Sequence, residues 1–285
     1  MDLGNPKNTI EVIQKYNFAF QKKFGQNFLI DSNILDNIAA CAGVTKEDCV
    51  LEIGPGAGSM TKYLCDAAHH VLSIELDERL IPLLTAFLAE RDNFTLVQGD
   101  VMTLNLADVT KNLRKPLSVV ANIPYYITTP LLTMLLASPI PIQRMALMVQ
   151  KEVAQRIAAK PGTPDYSAFT VFCQYYAEPE LLFDVPASCF IPQPKVTSSV
   201  IRLDCRVSPP VEVKSEAMFM RVVKAAFAQR RKTLLNALSA GFGEMSKETV
   251  EKCLTDSGFD PKVRGEVLSI GEFAKIADAF FTVLD

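Results

Sequence analysis

Apolar residues fall along this chain in two alternating textures, short continuous runs and longer stretches with a helical period. The runs Val50–Ile53, His70–Ile74, Phe94–Gln98, Leu117–Ala121 and Met145–Val149 read as buried strands. Between them lie helical patterns at Ser59–Ala67, Glu78–Glu90, Thr128–Ala137 and Lys151–Ala159, with Pro82 suited to the first turn of the second. Upstream, Asp31-Ser32 caps a helix from Asn33 to Ala42 that turns Ile34, Leu35 and Ile38 inward. Residues 1–20 carry an amphipathic pattern (Ile10, Ile13, Tyr16, Phe18) that fits a short helix. Phe169–Ala177 is apolar and helical, while Leu181–Val185 and Val200–Leu203 read as strands. This alternation predicts an α/β fold, a mostly parallel sheet with helices on both faces and hairpin-connected strands near its end.

The texture changes at Val207-Ser208-Pro209-Pro210, an exposed linker, and from Ser215 onward the pattern is helical to the end. Two domains are therefore expected, 1–207 built on the sheet and 208–285 small and all-α. A length of 285 residues fits one large and one small domain. Within the second, the stretch Arg221–Phe242 holds Arg221, Lys224, Arg230, Arg231 and Lys232 with no acidic residue. A basic helix is ordinarily a solvated face. With no acidic residue interleaved to form salt bridges, phosphate binding gains ground.

Composition narrows the function classes. The net charge of −3 gives no global basic signature, so a nucleic-acid partner requires local positive charge. The seven cysteines form no C-x-x-C pair and the only histidines are the neighbours His69 and His70, which leaves neither a zinc site nor a disulfide framework. Reduced cysteines packed in a core are expected. No apolar stretch reaches membrane-spanning length, and Met1–Ile10 lacks the apolar core of a signal peptide, so a cytoplasmic protein is the default.

The strand at Val50–Ile53 runs straight into Gly54-Pro55-Gly56-Ala57-Gly58, followed by a helix. Strand, glycine turn and helix open a nucleotide-binding βαβ unit. Such turns also carry glycine for steric reasons alone. Glu75, about 20 residues beyond Gly54 at the end of the next strand, tips the reading toward a nucleoside-type cofactor, because a carboxylate there can accept from both ribose hydroxyls. The G-x-G-x-G spacing departs from the dinucleotide fingerprint and counts against NAD. Gly54 to Gly58, Glu75, Asp100 and Asn122 all lie at strand ends, where such sheets bind ligands.

Asn122-Ile123-Pro124-Tyr125 carries the sharpest chemical signal. An adenine amino group is a poor nucleophile because its lone pair is delocalised into the ring. The Asn122 side-chain oxygen and the Ile123 carbonyl can accept its hydrogens and stabilise charge developing on nitrogen, while Tyr125 offers a ring for a base to stack on. An asparagine has no useful acid–base titration, so the reaction proceeds by positioning against a strong electrophile such as the sulfonium methyl of S-adenosylmethionine. Standing alone, the motif is an ordinary N-x-P turn. Phe190, on a proline-stiffened loop ending in Lys195, is either a second ring that sandwiches a flipped-out base or a core plug. Gln21–Leu29, with Lys22 and Lys23, is either an exposed loop pinned by Phe24 and Phe28 or a segment closing over the cofactor.

Taken together, these stretches resemble the small-subunit ribosomal RNA adenine dimethyltransferases. The resemblance rests on Phe24–Leu29, Glu52–Gly56, Glu75, Gly99-Asp100, Asn122–Tyr125, Phe190–Val200, Ala226–Leu234 and Arg264–Ser269, in family order across nearly the whole chain. It implies a Rossmann-like S-adenosylmethionine-dependent fold and dimethylation of two adjacent adenines near the 3′ end of small-subunit rRNA. It further implies that Asn27, Leu29, Gly54, Gly56, Glu75, Asp100 and Asn122 contact the cofactor, and that Asn122, Ile123, Tyr125 and Phe190 serve the target base. Lys22, Lys23, Lys195, Arg230, Arg231 and Lys232 are the expected RNA contacts, with no metal and a monomeric enzyme. The related macrolide-resistance methyltransferases of large-subunit rRNA share Ile123, but Gln229–Thr233 and Arg264–Ser269 favour the small-subunit enzymes. An assembly or transcription factor on a silent methyltransferase fold is the reading from another class, against which the intact Asn122–Tyr125 motif stands.

Overall fold

A computed structural model describes residues 3–16, 18, 20, 21 and 25–285. Its strands are β1 (Phe28–Leu29), β2 (Cys49–Ile53), β3 (His70–Glu75), β4 (Phe94–Gln98), β5 (Leu117–Asn122), β6 (Ile142–Gln150), β7 (Ala177–Val185), β8 (Phe190–Ile191) and β9 (Ser198–Cys205). The helices are α1 (Pro6–Lys15), α2 (Ser32–Cys41), α3 (Ser59–Ala67), α4 (Ile81–Phe87), α5 (Leu106–Val109), α6 (Thr128–Leu136), α7 (Lys151–Ile157), α8 (Ala168–Tyr176), α9 (Glu216–Ala228), α10 (Leu234–Gly241), α11 (Lys247–Asp256) and α12 (Ile270–Leu284). The chain divides into two compact units, Met1–Ala154 with Glu178–Cys205, and Gln155–Ala177 with Arg206–Asp285.

The first unit is a seven-stranded sheet in the order β4-β3-β2-β5-β6-β9-β7. Strands β4, β3, β2, β5 and β6 run parallel, and β9 is antiparallel to β6. All five residues of β2 are buried, as a strand covered on both faces requires. One face packs Val50, Val71, Val120 and Met148 against Leu35 and Ile38 of α2 and Leu64 and Cys65 of α3. From β2 the chain winds outward to β3 and β4, then returns to place β5 on β2's other side. Between β2 and β5 the sheet therefore has a topological switch point, where a crevice opens beyond the carboxyl ends.

The hydrophobic pattern located most of these elements, but not the short α5, β1 and β8, nor every boundary. The helix expected from Glu78 to Glu90 is a 3₁₀ turn, Glu78–Leu80, followed by α4 with Pro82 in its first turn. The two-stranded sheet of β1 and β8 is too short to show periodicity; it pairs Phe28 with Ile191 and Leu29 with Phe190.

The second unit is helical around Phe219, Phe242, Phe273, Phe280, Tyr166 and Tyr175, all buried. The expected division into 1–207 and 208–285 is corrected at residues 155–177, which belong to this helical unit. Tyr175 of α8 stacks on Phe219 of α9 with ring centroids 4.8 Å apart. The Gln174 side chain donates to the carbonyls of Ile157 and Ala159, fixing α8 to the chain before it. An apolar helix reads the same whichever core it joins, so its sequence could not reveal the excursion. Gly241 lets α9 and α10 approach closely, since a Cβ there would lie 2.4 Å from that of Ala225.

All seven cysteines are free thiols. No helix among the described residues is long and apolar enough to cross a membrane.

Tyr166 ties the inserted segment into this core, its buried hydroxyl donating to the Leu268 carbonyl at 2.9 Å. Tyr166→Phe removes that donor and leaves the carbonyl unpaired, and urea denaturation is expected to show a loss of about 1–2 kcal/mol.

Candidate active site

A cavity of about 200 Å³ opens at the switch point, lined among others by Asn27, Leu29, Gly54, Gly56, Glu75, Asp100, Asn122, Ile123 and Tyr125. The parallel register brings them together. Ile53 pairs with both Ile74 and Ala121, so Gly54, Glu75 and Asn122 emerge side by side, one residue beyond those pairs. Asp100 follows β4, where the Gly99 N–H donates to the Glu75 carbonyl at 2.9 Å.

Gly56 takes φ +59°, and a Cβ there would meet the Phe28 ring at 3.1 Å. Its N–H donates to Glu75 Oε2 at 3.1 Å, while Asp77 N donates to Oε1 at 2.8 Å. Main-chain donors at Gly56, Asp77 and Leu76 thus surround a carboxylate that lines the cavity and, with two lone pairs on each oxygen, can accept further bonds. Burial pushes the Glu75 carboxyl up to about 7 against the pull of these main-chain donors. Glu52 has no individual role assigned from the sequence, yet it shares the cavity wall. It is buried, accepts from Ser73 Oγ and Thr61 Oγ1, and is likewise pushed up to about 7, chiefly by burial. A carboxylate inside an apolar strand is itself a signal, because a buried charge demands partners.

Asn122 Nδ2 donates to the Asn27 carbonyl at 3.1 Å. That bond uses the amide's donor side and turns Oδ1 away from Asn27. The Ile123 N–H is taken by the Met148 carbonyl at 3.1 Å, which fixes the turn against β6. Tyr125 is half-buried, its hydroxyl 2.7 Å from Ser198 Oγ on β9. Nothing in the sequence around Ser198 announces this tie, which depends on the residue being brought across the sheet.

Three expectations meet a different arrangement. Phe190 does not face the cavity. It is 1% exposed and packs with Leu29, Leu35, Val185 and Val200, because its pairing with Leu29 carries the ring inward; it is a core plug. The basic run is not free of acidic partners, since Arg221 pairs with Glu244 at 2.7 Å just beyond it and lies 4.1 Å from the Phe242 ring centroid. Arg230 has a structural task, donating to the carbonyls of Pro164 and Tyr166. Lys22 and Lys23 lie outside the described residues, as does Phe24. Lys195, Arg231 and Lys232 are exposed. Among the described residues no group of three His, Cys, Asp or Glu could hold a metal ion.

The cavity gathers a glycine-rich turn, a buried carboxylate at the end of β3 and Asp100 after β4, features that suit a nucleoside cofactor.

A family model described as ribosomal RNA adenine dimethylase matches residues 17–280. The ribosomal RNA small subunit methyltransferase A of Lachnoclostridium phytofermentans is 47% identical over 281 residues, 97% of each chain. That of Lactococcus lactis is 46% identical, covering 97% of this chain and 95% of its own. Among solved structures, a dimethyladenosine transferase from Plasmodium falciparum superposes with TM-score 0.72 at 26% identity, covering 87% of this chain and 95% of that one. The 23S rRNA methyltransferase ErmE gives TM-score 0.69 at 27% identity, covering 89% and 99%.

The buried carboxyls make the site pH-dependent. Folded Glu75 and Glu52 hold their protons up to about 7, against an ordinary value of 4.5. Their contribution to stability is therefore full below about 4.5 and is lost as pH rises through about 7. Ligand hydroxyls bond more strongly to the ionised form, so S-adenosylmethionine affinity should rise across the same upper window and level off above it. Calorimetric titrations from acid to alkaline buffer check this, with the Glu75→Gln protein expected to lose most of the dependence.

Proposed function

The chain belongs to the ribosomal RNA adenine dimethylase family, and from that premise we propose that it dimethylates the exocyclic amino groups of two adjacent adenines near the 3′ end of small-subunit (16S) rRNA. The observation that carries the chemistry is the Asn122 amide, its donor side tied to the Asn27 carbonyl and its oxygen left to accept from an adenine amino group. Bound S-adenosylmethionine supplies a sulfonium methyl, so the N6–carbon bond forms as the carbon–sulfur bond breaks. The chain's own residues position the nucleophile. Asn122 Oδ1 and the Ile123 carbonyl accept the amino hydrogens and favour a lone pair aimed at the methyl. The ring of Tyr125, steadied by Ser198, stacks on the target base, a contact worth about 1–3 kcal/mol. No general base is required before attack, because the proton leaves a nitrogen already made cationic.

Glu75 accepts from the ribose hydroxyls, Asp100 from the cofactor's adenine amino group, and Asn27, Leu29, Gly54 and Gly56 complete the cofactor wall. The small-subunit reading is preferred over the large-subunit one because relatives named for the small subunit reach 47% identity, against 27% for the 23S enzyme. We place the protein in the cytoplasm as a monomer that acts on the small-subunit particle. Its helical unit is the RNA-docking element, with Arg231 and Lys232 as phosphate contacts. The direct test incubates particles from a strain lacking the modification with labelled S-adenosylmethionine and maps the methylated bases.

Asn122→Ala is expected to lower turnover by at least about a hundredfold while particle affinity holds, because phosphate contacts elsewhere supply most of it. Rate assays and particle binding on the same preparation check this, with cofactor affinity measured alongside. The basic residues should separate by role. Replacing Arg231 and Lys232 by Gln reduces the slope of log affinity against log salt by about 0.7–0.9 for each phosphate no longer neutralised. Arg230→Gln instead lowers the melting temperature and leaves that slope largely unchanged.

A further inference from the structure

The residues assigned to the adenine are held by neighbours, and one polar clasp, at Gln26 on the cavity wall, stands out. The Gln26 side chain bridges two directions. Its Oε1 accepts from the Gln21 N–H at 3.0 Å and its Nε2 donates to Asp77 Oδ2 at 2.8 Å. Asp77 is a firm anchor. Its side chain is 3% exposed, it pairs with Arg79, and its own N–H donates to Glu75. Arg79 in turn lies 4.8 Å from the ring centroid of Phe18, which stacks on Phe28. Immediately after Gln26, Asn27 closes a local turn through Nδ2 to the Gly25 carbonyl at 3.0 Å. It is the carbonyl of this same Asn27 that receives the Asn122 amide.

The consequence follows from the symmetry of an amide. A primary amide turned over by 180° fills the same volume, so shape alone does not decide whether Asn122 presents an acceptor or a donor to the adenine. Only a hydrogen-bond partner decides it, and that partner is a carbonyl on a short segment with little secondary structure of its own. β1 fixes the segment beyond Asn27 through its pairing with β8. On the other side, the Gln26 clasp ties it to the end of β3.

We propose that Gln26 is a positioning residue for methyl transfer: clasped to Asp77, it holds the Asn27 carbonyl where it locks Asn122 with its oxygen toward the reacting amino group. The inference rests on the role proposed for Asn122 in the reaction. Gln26 itself touches no reacting atom. Its loss acts on the rate of transfer more than on cofactor affinity, since the Gly56–Glu75 and Asp77–Glu75 bonds do not pass through it.

The pair can be reversed in polarity. Gln26→Glu sets two carboxylates against each other and opens the clasp. Adding Asp77→Asn supplies a donor from the other side and closes it; the Asn oxygen still accepts from Arg79 N and Nε, while the bond from Arg79 Nη2 to the replaced oxygen is given up, so Asp77→Asn alone is measured beside the double variant. The single variant should lower kcat on the small-subunit particle about tenfold and the double should recover to within about threefold of wild type, the scale of a small displacement of positioned groups. A readout independent of turnover is the side-chain amide signal of Asn122 in asparagine-labelled protein without RNA, assigned by its disappearance in Asn122→Ala. It should shift in the single variant and return in the double, while calorimetric affinity for S-adenosylmethionine changes less than the rate. Gln26→Leu, which removes the clasp without adding charge, replaces the single variant if that one does not fold, with the same drop in rate and shift in signal expected.

An unchanged rate and unchanged Asn122 signal in the clasp-opened protein would overturn the proposal, showing that β1 and β8 suffice. Cofactor affinity falling as far as the rate would also overturn it, making Gln26, which lines the cavity, a cofactor-binding residue rather than a positioning one. So would a folded double variant that recovers neither rate nor signal although the Asp77→Asn protein alone keeps both. A wild-type protein that leaves the particle unmethylated refutes the proposed function instead, and the Asn122 signal still reports on the clasp.

Discussion

Parallel pairing of β2 with β5 is the constraint from which the rest of the site follows. Two strands distant in sequence become neighbours only because the chain completes β3 and β4 on one side and then crosses back. Their register ends both at one level, so the glycine turn after β2 and the asparagine ending β5 share a crevice. A one-residue slip would turn every side chain to the opposite face, which is also covered, setting Val50 and Val120 against the wrong neighbours and carrying Gly54 out of line with Asn122. The apolar core on both faces thus fixes the position of the chemistry without touching a ligand.

Three acidic residues around β2 and β3 show how one charge type is used in different ways. Glu52 bridges β3 and α3 through Ser73 and Thr61, deep in the wall. Glu75 closes the glycine turn through Gly56 and keeps lone pairs for a ligand. Asp77, beside Arg79, draws in the segment before β1 through Gln26. Burial raises the first two toward neutral pH. Burial also works upward on Asp77, but hydrogen bonds from Arg79 and Gln26 outweigh it and hold that carboxyl below its usual range. Such a network is rigid because each carboxylate is held by at least two donors.

The helical unit divides its basic residues similarly. Arg221 is joined to Glu244 and rests on Phe242, and Arg230 holds the carbonyls of Pro164 and Tyr166, so neither guanidinium is free for an outside partner without breaking an internal bond. Arg231 and Lys232 stand exposed on the same stretch. A run of positive charge in a sequence is therefore not uniform in function; the fold sorts it by which members can reach a carbonyl or a carboxylate.

By itself the sequence determined the strand–glycine–helix unit, the carboxylate at the end of β3, the Asn122–Tyr125 turn and the helical character of the C-terminal stretch. These are local, since backbone preference, hydrophobic period and short spacing are properties of neighbouring residues. Tertiary structure alone decided what distant residues do to one another. It turned Phe190 into the core by pairing it with Leu29, and drew 155–177 into the helical unit through Tyr175 and Tyr166. It also brought Ser198 to Tyr125, Asp77 to Gln26 and Asn27 to Asn122, contacts spanning 73, 51 and 95 residues. No pattern in a linear chain encodes such pairs, because each depends on where the sheet's register and its crossovers finally set the backbone.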